Sequence, residues 1–276
     1  MAKQSPLLRM SGQTLKQRVK PLVPLAVFRV RDGWRRRRFE ERQRRAAEID
    51  PIVAQHCGTT VIAGPFNGMR YGAHAFCGGY APKLLGCYEA ELHGVLTEAL
   101  GRNYEVIVDI GAAEGYYAVG FARRFPQAQV FAFEIDQQAQ SFCEEMIALN
   151  EVTDRVHLAG ACTVDSLRSL PLRSALLICD CEGGEFDLLR PDVVPDLASC
   201  DLLVEMHDHI DARITPTLLE RFARTHDVAL VDSRVHDPAD FPAADFLPPR
   251  DRASAVDDLR GASMQWAWMT VRKRVA

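Results

Sequence analysis

Two short stretches concentrate the residues best able to do chemistry. Asp180-Cys181-Glu182-Gly183-Gly184-Glu185 follows an apolar run, and Glu205, His207, Asp208 and His209 lie at or just after another. Carboxylates beside an imidazole suit acid–base work, because an unperturbed imidazole titrates near working pH. His207 is the expected general base, with Asp180 and Glu182 beside it. An alternative is that Asp180, Glu182 and either His207 or Asp208 bind Mg²⁺, which prefers carboxylate oxygen and water. A plainer reading makes His207 and His209 polar loop residues. It makes Glu185 a first-turn acid favoured by a helix dipole.

A third stretch sits upstream. In "VIVDIGAAEGYYAVGFA", residues 106–122, an apolar run ends at Asp109 and passes through Gly111, Ala112, Glu114 and Gly115 into a helical pattern. Gly111 and Gly115 let backbone approach a ligand closely. The GxGxxG spacing of dinucleotide sites is absent, and Asp109 and Glu114 would repel a pyrophosphate. Acidic groups here suit a ligand with an amino group or a positive charge. Glu134 lies 23 positions after Gly111, close to the ~20 at which an acid accepts ribose hydroxyls. A ribose, a cationic part and no pyrophosphate describe S-adenosylmethionine. Strand-end capping is the plain alternative for Asp109 and Glu134 taken singly.

The elements that must hold these groups follow from the pattern. Apolar runs at 106–110, 130–133, 156–159, 176–179, 202–206, 228–231 and 265–271 read as strands. Helical patterns at 116–124, 137–150, 186–189 and 216–224 separate several of them. Strands of this kind, alternating with helices, imply a mostly parallel sheet covered on both faces. Residues 232–264 read as a long Pro-, Asp- and Arg-rich loop, so the last two strands are expected to form an antiparallel pair at the sheet edge. Ligands in such sheets bind at the carboxyl ends of the strands.

Composition sets the remaining bounds. The 276 residues carry a net charge of −4, but residues 1–46 hold 14 Lys and Arg against 3 Asp and Glu, and the rest 19 against 34. The expected organisation is a basic helical arm at 1–48, a small cap at 49–100 and a catalytic domain at 101–276. The arm, through residues 29–45, suits an anionic membrane surface or nucleic acid, or else a solvated helix face. Eight cysteines without a CxxC pair read as reduced thiols. With no signal-peptide pattern and no membrane-length apolar run, the expectation is a cytoplasmic protein, peripheral at the membrane if the arm binds there.

"VDIGAAEG", "FEID", "LLICDCEGGEFDLL" and "LLVEMHD" together resemble the FkbM-type family of class I S-adenosylmethionine-dependent methyltransferases. The match covers residues 100–210 well, and "DCEGGE" is its most specific element. "EID", with Asp136, stands where many members have a different turn. The resemblance implies a three-layer Rossmann-like methyltransferase fold whose seven-stranded, mostly parallel sheet has an antiparallel edge strand. It implies cofactor contacts from Asp109, Gly111, Ala112, Glu114, Gly115, Glu134, Ile135, Cys162 and Asp180. The implied activity is O-methylation of a sugar, glycan or related small metabolite. Two alternatives stand beside it: an RNA methyltransferase gripping through the basic arm, and an inactive cofactor-binding module. The acidic body and the lack of an Asn-Pro-Pro-aromatic element weigh against nucleic acid.

Overall fold

The computed structural model describes residues 25–272, with side chains from residue 36 onward. Its helices are α1 (Leu25–Cys57), α2 (Tyr80–Leu85), α3 (His93–Leu100), α4 (Tyr116–Arg124), α5 (Gln137–Leu149), α6 (Val164–Ser169), α7 (Glu185–Leu188), α8 (Ile214–Phe222) and α9 (Pro249–Ala255). The strands are β1 (Val106–Ile110), β2 (Gln129–Phe133), β3 (Val156–Ala159), β4 (Leu176–Cys179), β5 (Asp201–Met206), β6 (His226–Asp232) and β7 (Gln265–Val271).

The sheet has seven strands in the order β3-β2-β1-β4-β5-β7-β6. The first five in that order pair parallel, while β7 runs antiparallel to both β5 and β6. This is the three-layer, mostly parallel Rossmann-like architecture read from the sequence. The antiparallel β6–β7 pair closes one edge, with β7 slotted between β5 and β6. Strand order reverses between β1 and β4, so their carboxyl ends flank the crevice where such sheets take ligands.

Alternation along β1 sorts the two sides of the core. Ile107 joins the layer containing Ala118 and Phe121 of α4, and Val108 and Ile110 join the layer containing Leu218 and Phe222 of α8. Asp109 therefore projects on the α4 side. β4 and β5 are buried along their whole length, as a sheet covered on both faces demands. Side-chain caps fix the helix starts near the crevice. Asp136 accepts N–H bonds from Gln138 and Ala139 to open α5, and Thr163 forms a capping box with Ser166 at α6. The unusual Asp136 of "EID" is thus a helix cap.

The chain divides into two compact units between Arg38 and Phe39, earlier than the boundary expected at 48. The described part of the first unit is helical from Leu25. In the second, Arg42 and Arg45 belong to the body: Arg42 forms a two-pronged ion pair with Asp257, its Nε at 2.6 Å, and Arg45 pairs with Glu48 and Asp251. Two of the basic residues assigned to the arm are therefore already engaged by carboxylates. Within the expected cap, the Gly- and Pro-rich stretch around residues 78–86 contains α2, every residue of which is buried. The long 232–264 loop contains α9 and two short 3₁₀ turns.

Lys83 of α2 ties the cap to the sheet. Its ammonium is 1% exposed, pairs with the equally buried Glu114, donates to the Cys77 carbonyl at 2.7 Å and lies 4.5 Å from the Tyr88 ring. Tyr71 donates its hydroxyl to the same Glu114. Burial alone would push the Glu114 carboxyl up, but Lys83 holds it below its ordinary range. Removing one partner of such a pair strands a charge in a low-dielectric interior. Lys83→Met is expected to cost about 3–5 kcal/mol in urea unfolding, and Lys83→Met with Glu114→Leu to recover most of that loss. Equal losses in the single and double variants would show that the pair is not what joins cap to sheet.

Candidate active site

The glycine turn after β1 lies against the end of β4. Gly111 has φ +84°, and a Cβ there would stand 1.6 Å from the Asp180 carbonyl oxygen. The Asp180 N–H in turn donates to the Ile110 carbonyl at 2.8 Å. Only glycine permits that approach. Gly115, at φ +90°, ends the turn, where a Cβ would meet the Cys143 sulfur at 2.8 Å.

Glu134 spans the mouth of this turn from the end of β2. One carboxylate oxygen accepts the Ala113 N–H and the other the Asp136 N–H, each at 2.8 Å. Each oxygen keeps a further lone pair for a hydroxyl donor. Ile135 follows, 77% exposed, an apolar face beside the crevice. Cys162, past β3, is half-buried, and burial pushes its thiol up to about 12.

Asp109 is buried on the α4 side, and burial pushes its carboxyl up to about 7 against the opposing pull of the Ala118 N–H. Its Oδ2 has no hydrogen-bond partner among the described residues. Ala112 is buried as well. Glu114 is a correction: it was expected to face the cofactor, but it points into the cap and is consumed by Lys83 and Tyr71. The sequence shows an acid in a ligand loop and cannot show the lysine that meets it.

Glu205 near the end of β5 and His207, the first residue past it, are two apart and lie toward the same side, with Nε2 3.3 Å from Glu205 Oε2. His207 is fully buried. Its Nδ1 meets Glu185 Oε1 at 2.6 Å, and Glu185 also accepts the Cys181 N–H at 3.2 Å. The other nitrogen, Nε2, has no hydrogen-bond partner among the described residues yet stands 3.3 Å from Glu205 Oε2, 3.4 Å from Asp180 Oδ1 and 3.6 Å from Glu182 Oε2. Burial by itself would lower the imidazole, but Glu185 and Glu205 raise it to about 11. His207, the expected general base, is buried with its Nδ1 on Glu185 and its Nε2 facing Glu205, Asp180 and Glu182. Burial and the facing Glu205 push Asp180 well above the carboxylate range, and His207, Asp180 and Arg260 hold Glu205 low in spite of its burial.

Of the residues expected to bind Mg²⁺, Asp180 and Glu182 are in this cluster and Asp208 is not. The Asp208 carboxylate accepts the Thr215 N–H at 2.9 Å and caps the start of α8. Glu205 takes its place. Glu182 adopts φ +51° and its side chain is 77% exposed, the most open carboxylate of the group. Arg260 was missed altogether. Its guanidinium donates to Glu205 Oε1 at 2.6 Å and also pairs with Glu89, which accepts the Tyr117 hydroxyl. Lone arginines in a loop carry no sequence signal. Tyr116 and Tyr117, the first residues of α4, are buried in the core.

A hollow of about 700 Å³ lined by Arg102, Asp227, Thr270, Val271 and Arg272 opens at the opposite, amino end of β1. It contains none of these groups.

No family model matches the sequence, and no curated protein does. The FkbM-type resemblance therefore stands on its motifs alone. Among solved structures the chain is similar to the O-methyltransferase TomG from Streptomyces achromogenes, involved in tomaymycin synthesis and crystallised with S-adenosylmethionine. The two are 17% identical over 68% of this chain and 79% of that one, with a TM-score of 0.42. It is also similar to an rRNA methylase from Streptococcus thermophilus, at 11% identity over 66% of this chain and 97% of that one, TM-score 0.46. A third is precorrin-6y C5,15-methyltransferase from Geobacter metallireducens, at 16% identity over 66% and 88%, TM-score 0.44. The fold assignment rests on the strand order itself.

A carboxyl group raised to about 7 in the fold, against 3.8 for the free side chain, favours the folded state fully below about pH 4 and loses that contribution as pH rises through about 7. Asp109→Asn should therefore gain melting temperature relative to the native chain between pH 4 and 7, by several degrees. A difference that stays constant over that range would show Asp109 to be ionised throughout.

Proposed function

We propose that this protein is an S-adenosylmethionine-dependent methyltransferase acting on a hydroxyl of a sugar, glycan or related small metabolite. The observation that carries the reading is the placement of Glu134. Two backbone N–H groups hold its carboxylate at the rim of the Gly111–Gly115 turn, beside the strand-order reversal and next to the exposed Ile135. The residues present fit such a ligand. Glu134 has lone pairs for ribose hydroxyls, Ile135 and Cys162 offer apolar contact to a base, and Asp109 Oδ2 is a buried acceptor without a partner.

When bound, the cofactor supplies an electrophilic methyl group on its sulfonium. The chain must align an acceptor oxygen with that methyl group and keep water away. Asp180, at the end of β4 and beside the turn, would in this reading lie between cofactor and acceptor. Glu182 is open to an incoming molecule, and we assign it the hydrogen bond to the acceptor hydroxyl. His207 Nε2 faces both carboxylates, 3.4 Å from Asp180 Oδ1 and 3.6 Å from Glu182 Oε2. The acceptor class rests on the FkbM-type motifs, with "DCEGGE" foremost.

Calorimetric titration with S-adenosylmethionine tests the reading. The native chain should bind, and Glu134→Gln should weaken binding about tenfold or more, the loss of roughly one good hydrogen bond. Ile135→Asp, at an exposed position that leaves folding intact, should weaken it too. No heat and no melting shift at millimolar cofactor would sink the proposal, as would full affinity in both variants.

A further inference from the structure

We propose that Asp180, Glu205 and His207 hold a divalent transition-metal ion that binds the acceptor oxygen. One ligand atom from each of the three lies within 4.8 Å of the others. Acidic clusters are common without an ion; this one has an imidazole nitrogen aimed into it. His207 is fully buried, and its Nε2 lacks a hydrogen-bond partner among the described residues.

The spacing suits an ion. With metal–ligand bonds of about 2.0–2.2 Å, ligand atoms around one centre stand roughly 3.0 Å apart at right angles and about 3.4 Å apart in a tetrahedron. Nε2 lies 3.3 Å from Glu205 Oε2, 3.4 Å from Asp180 Oδ1 and 3.6 Å from Glu182 Oε2. Small shifts toward a common centre complete the set, with Glu182 as a fourth, outer ligand.

The supporting groups fit as well. A ligating histidine characteristically gives its other ring N–H to a carboxylate, which fixes the tautomer and strengthens the donor nitrogen. Glu185 is placed for that role at 2.6 Å from Nδ1, itself held by the Cys181 N–H. Arg260 occupies Glu205 Oε1 and leaves Oε2 toward His207. Asp180, Glu182 and Glu205 supply oxygen donors around the imidazole, and Arg260 pairs with Glu205 and Glu89 without entering the space that Nε2 faces.

The donor set also selects among cations. Mg²⁺ and Ca²⁺ favour all-oxygen shells, whereas two carboxylates with one imidazole suit Mn²⁺, Fe²⁺, Co²⁺ or Zn²⁺. Where the sequence offered Mg²⁺ as an alternative, the donor set favours a metal that accepts nitrogen. In the methyl-transfer reading, which this inference deepens, such an ion would take the acceptor hydroxyl as an open-position ligand and lower its pKa.

The test uses the full chain freed of metal by a chelator, titrated with Mn²⁺ and followed by the loss of the free-ion paramagnetic resonance signal. Zn²⁺ calorimetry runs in parallel. One ion per chain is expected. Asp180→Asn, whose side chain is part-exposed and so suits substitution, should weaken uptake at least tenfold, and His207→Gln should do the same. Glu185→Gln, a positioning variant, should weaken it about 10–100-fold and alter the visible spectrum of the Co²⁺-loaded chain. Melting curves confirm that each variant folds, and Asp180→Asn decides if His207→Gln does not. No uptake of either ion by a chain that still binds S-adenosylmethionine overturns this proposal alone. Uptake undiminished in Asp180→Asn and His207→Gln overturns it too. Uptake lost as expected in a chain that does not bind S-adenosylmethionine upholds the metal site and sinks the cofactor reading.

Discussion

The contact between the turn after β1 and the end of β4 governs the rest of the site. Because Gly111 lies against the Asp180 carbonyl, no side chain separates the two loops. The glycine turn and the start of the acidic segment are in direct backbone contact, with the Asp180 N–H on the Ile110 carbonyl. The Gly111 and Ala112 N–H groups bond the Phe133 carbonyl, and the Glu134 carboxylate ties the same turn to the end of β2 through Ala113. Three neighbouring strand ends are stitched by main-chain groups and one carboxylate before any ligand arrives. That pre-organisation lets a shallow crevice hold charged groups in fixed directions.

Fixing acids so close together has an electrostatic cost, and the fold meets it with very few cations. Lys83 answers Glu114 inside the cap, while Arg260 answers Glu89 and Glu205 from a loop far along the chain. Buried pairs of this kind add little net stability, because desolvation offsets most of the attraction. Their effect is specificity of arrangement. Arg260 links the segment before α3, strand β5 and the loop after α9, so all three must be in place for the acids of the crevice to be compensated.

Much of this was legible in the sequence wherever local physics decides the outcome. Buried parallel strands need continuous apolar runs, so β1, β3, β4 and β7 match the residues expected, and β2 differs by one. Glu134 was legible because its distance from Gly111 reflects one helix and one strand of chain. α2 was not, because glycines and a proline that usually signal turns here border and enter a short buried helix. α9 was hidden behind two prolines and a run of charges with no apolar periodicity. The role of Glu114 depends on Lys83, 31 positions away, and the state of His207 on Glu185, 22 positions away. Side chains meeting across the fold leave no periodic trace.

The placement of β7 bears on how the chain assembles during synthesis. It is made last of the seven strands yet lies between β5 and β6. Until it emerges, β5 presents an unpaired edge and β6 has no neighbour to join, the condition in which strands pair with wrong partners. Arg260 lies just ahead of β7 in the chain. The ribosome therefore releases the cation that balances the crevice and the strand that seals the sheet almost together, so sheet closure and charge neutralisation become one late event.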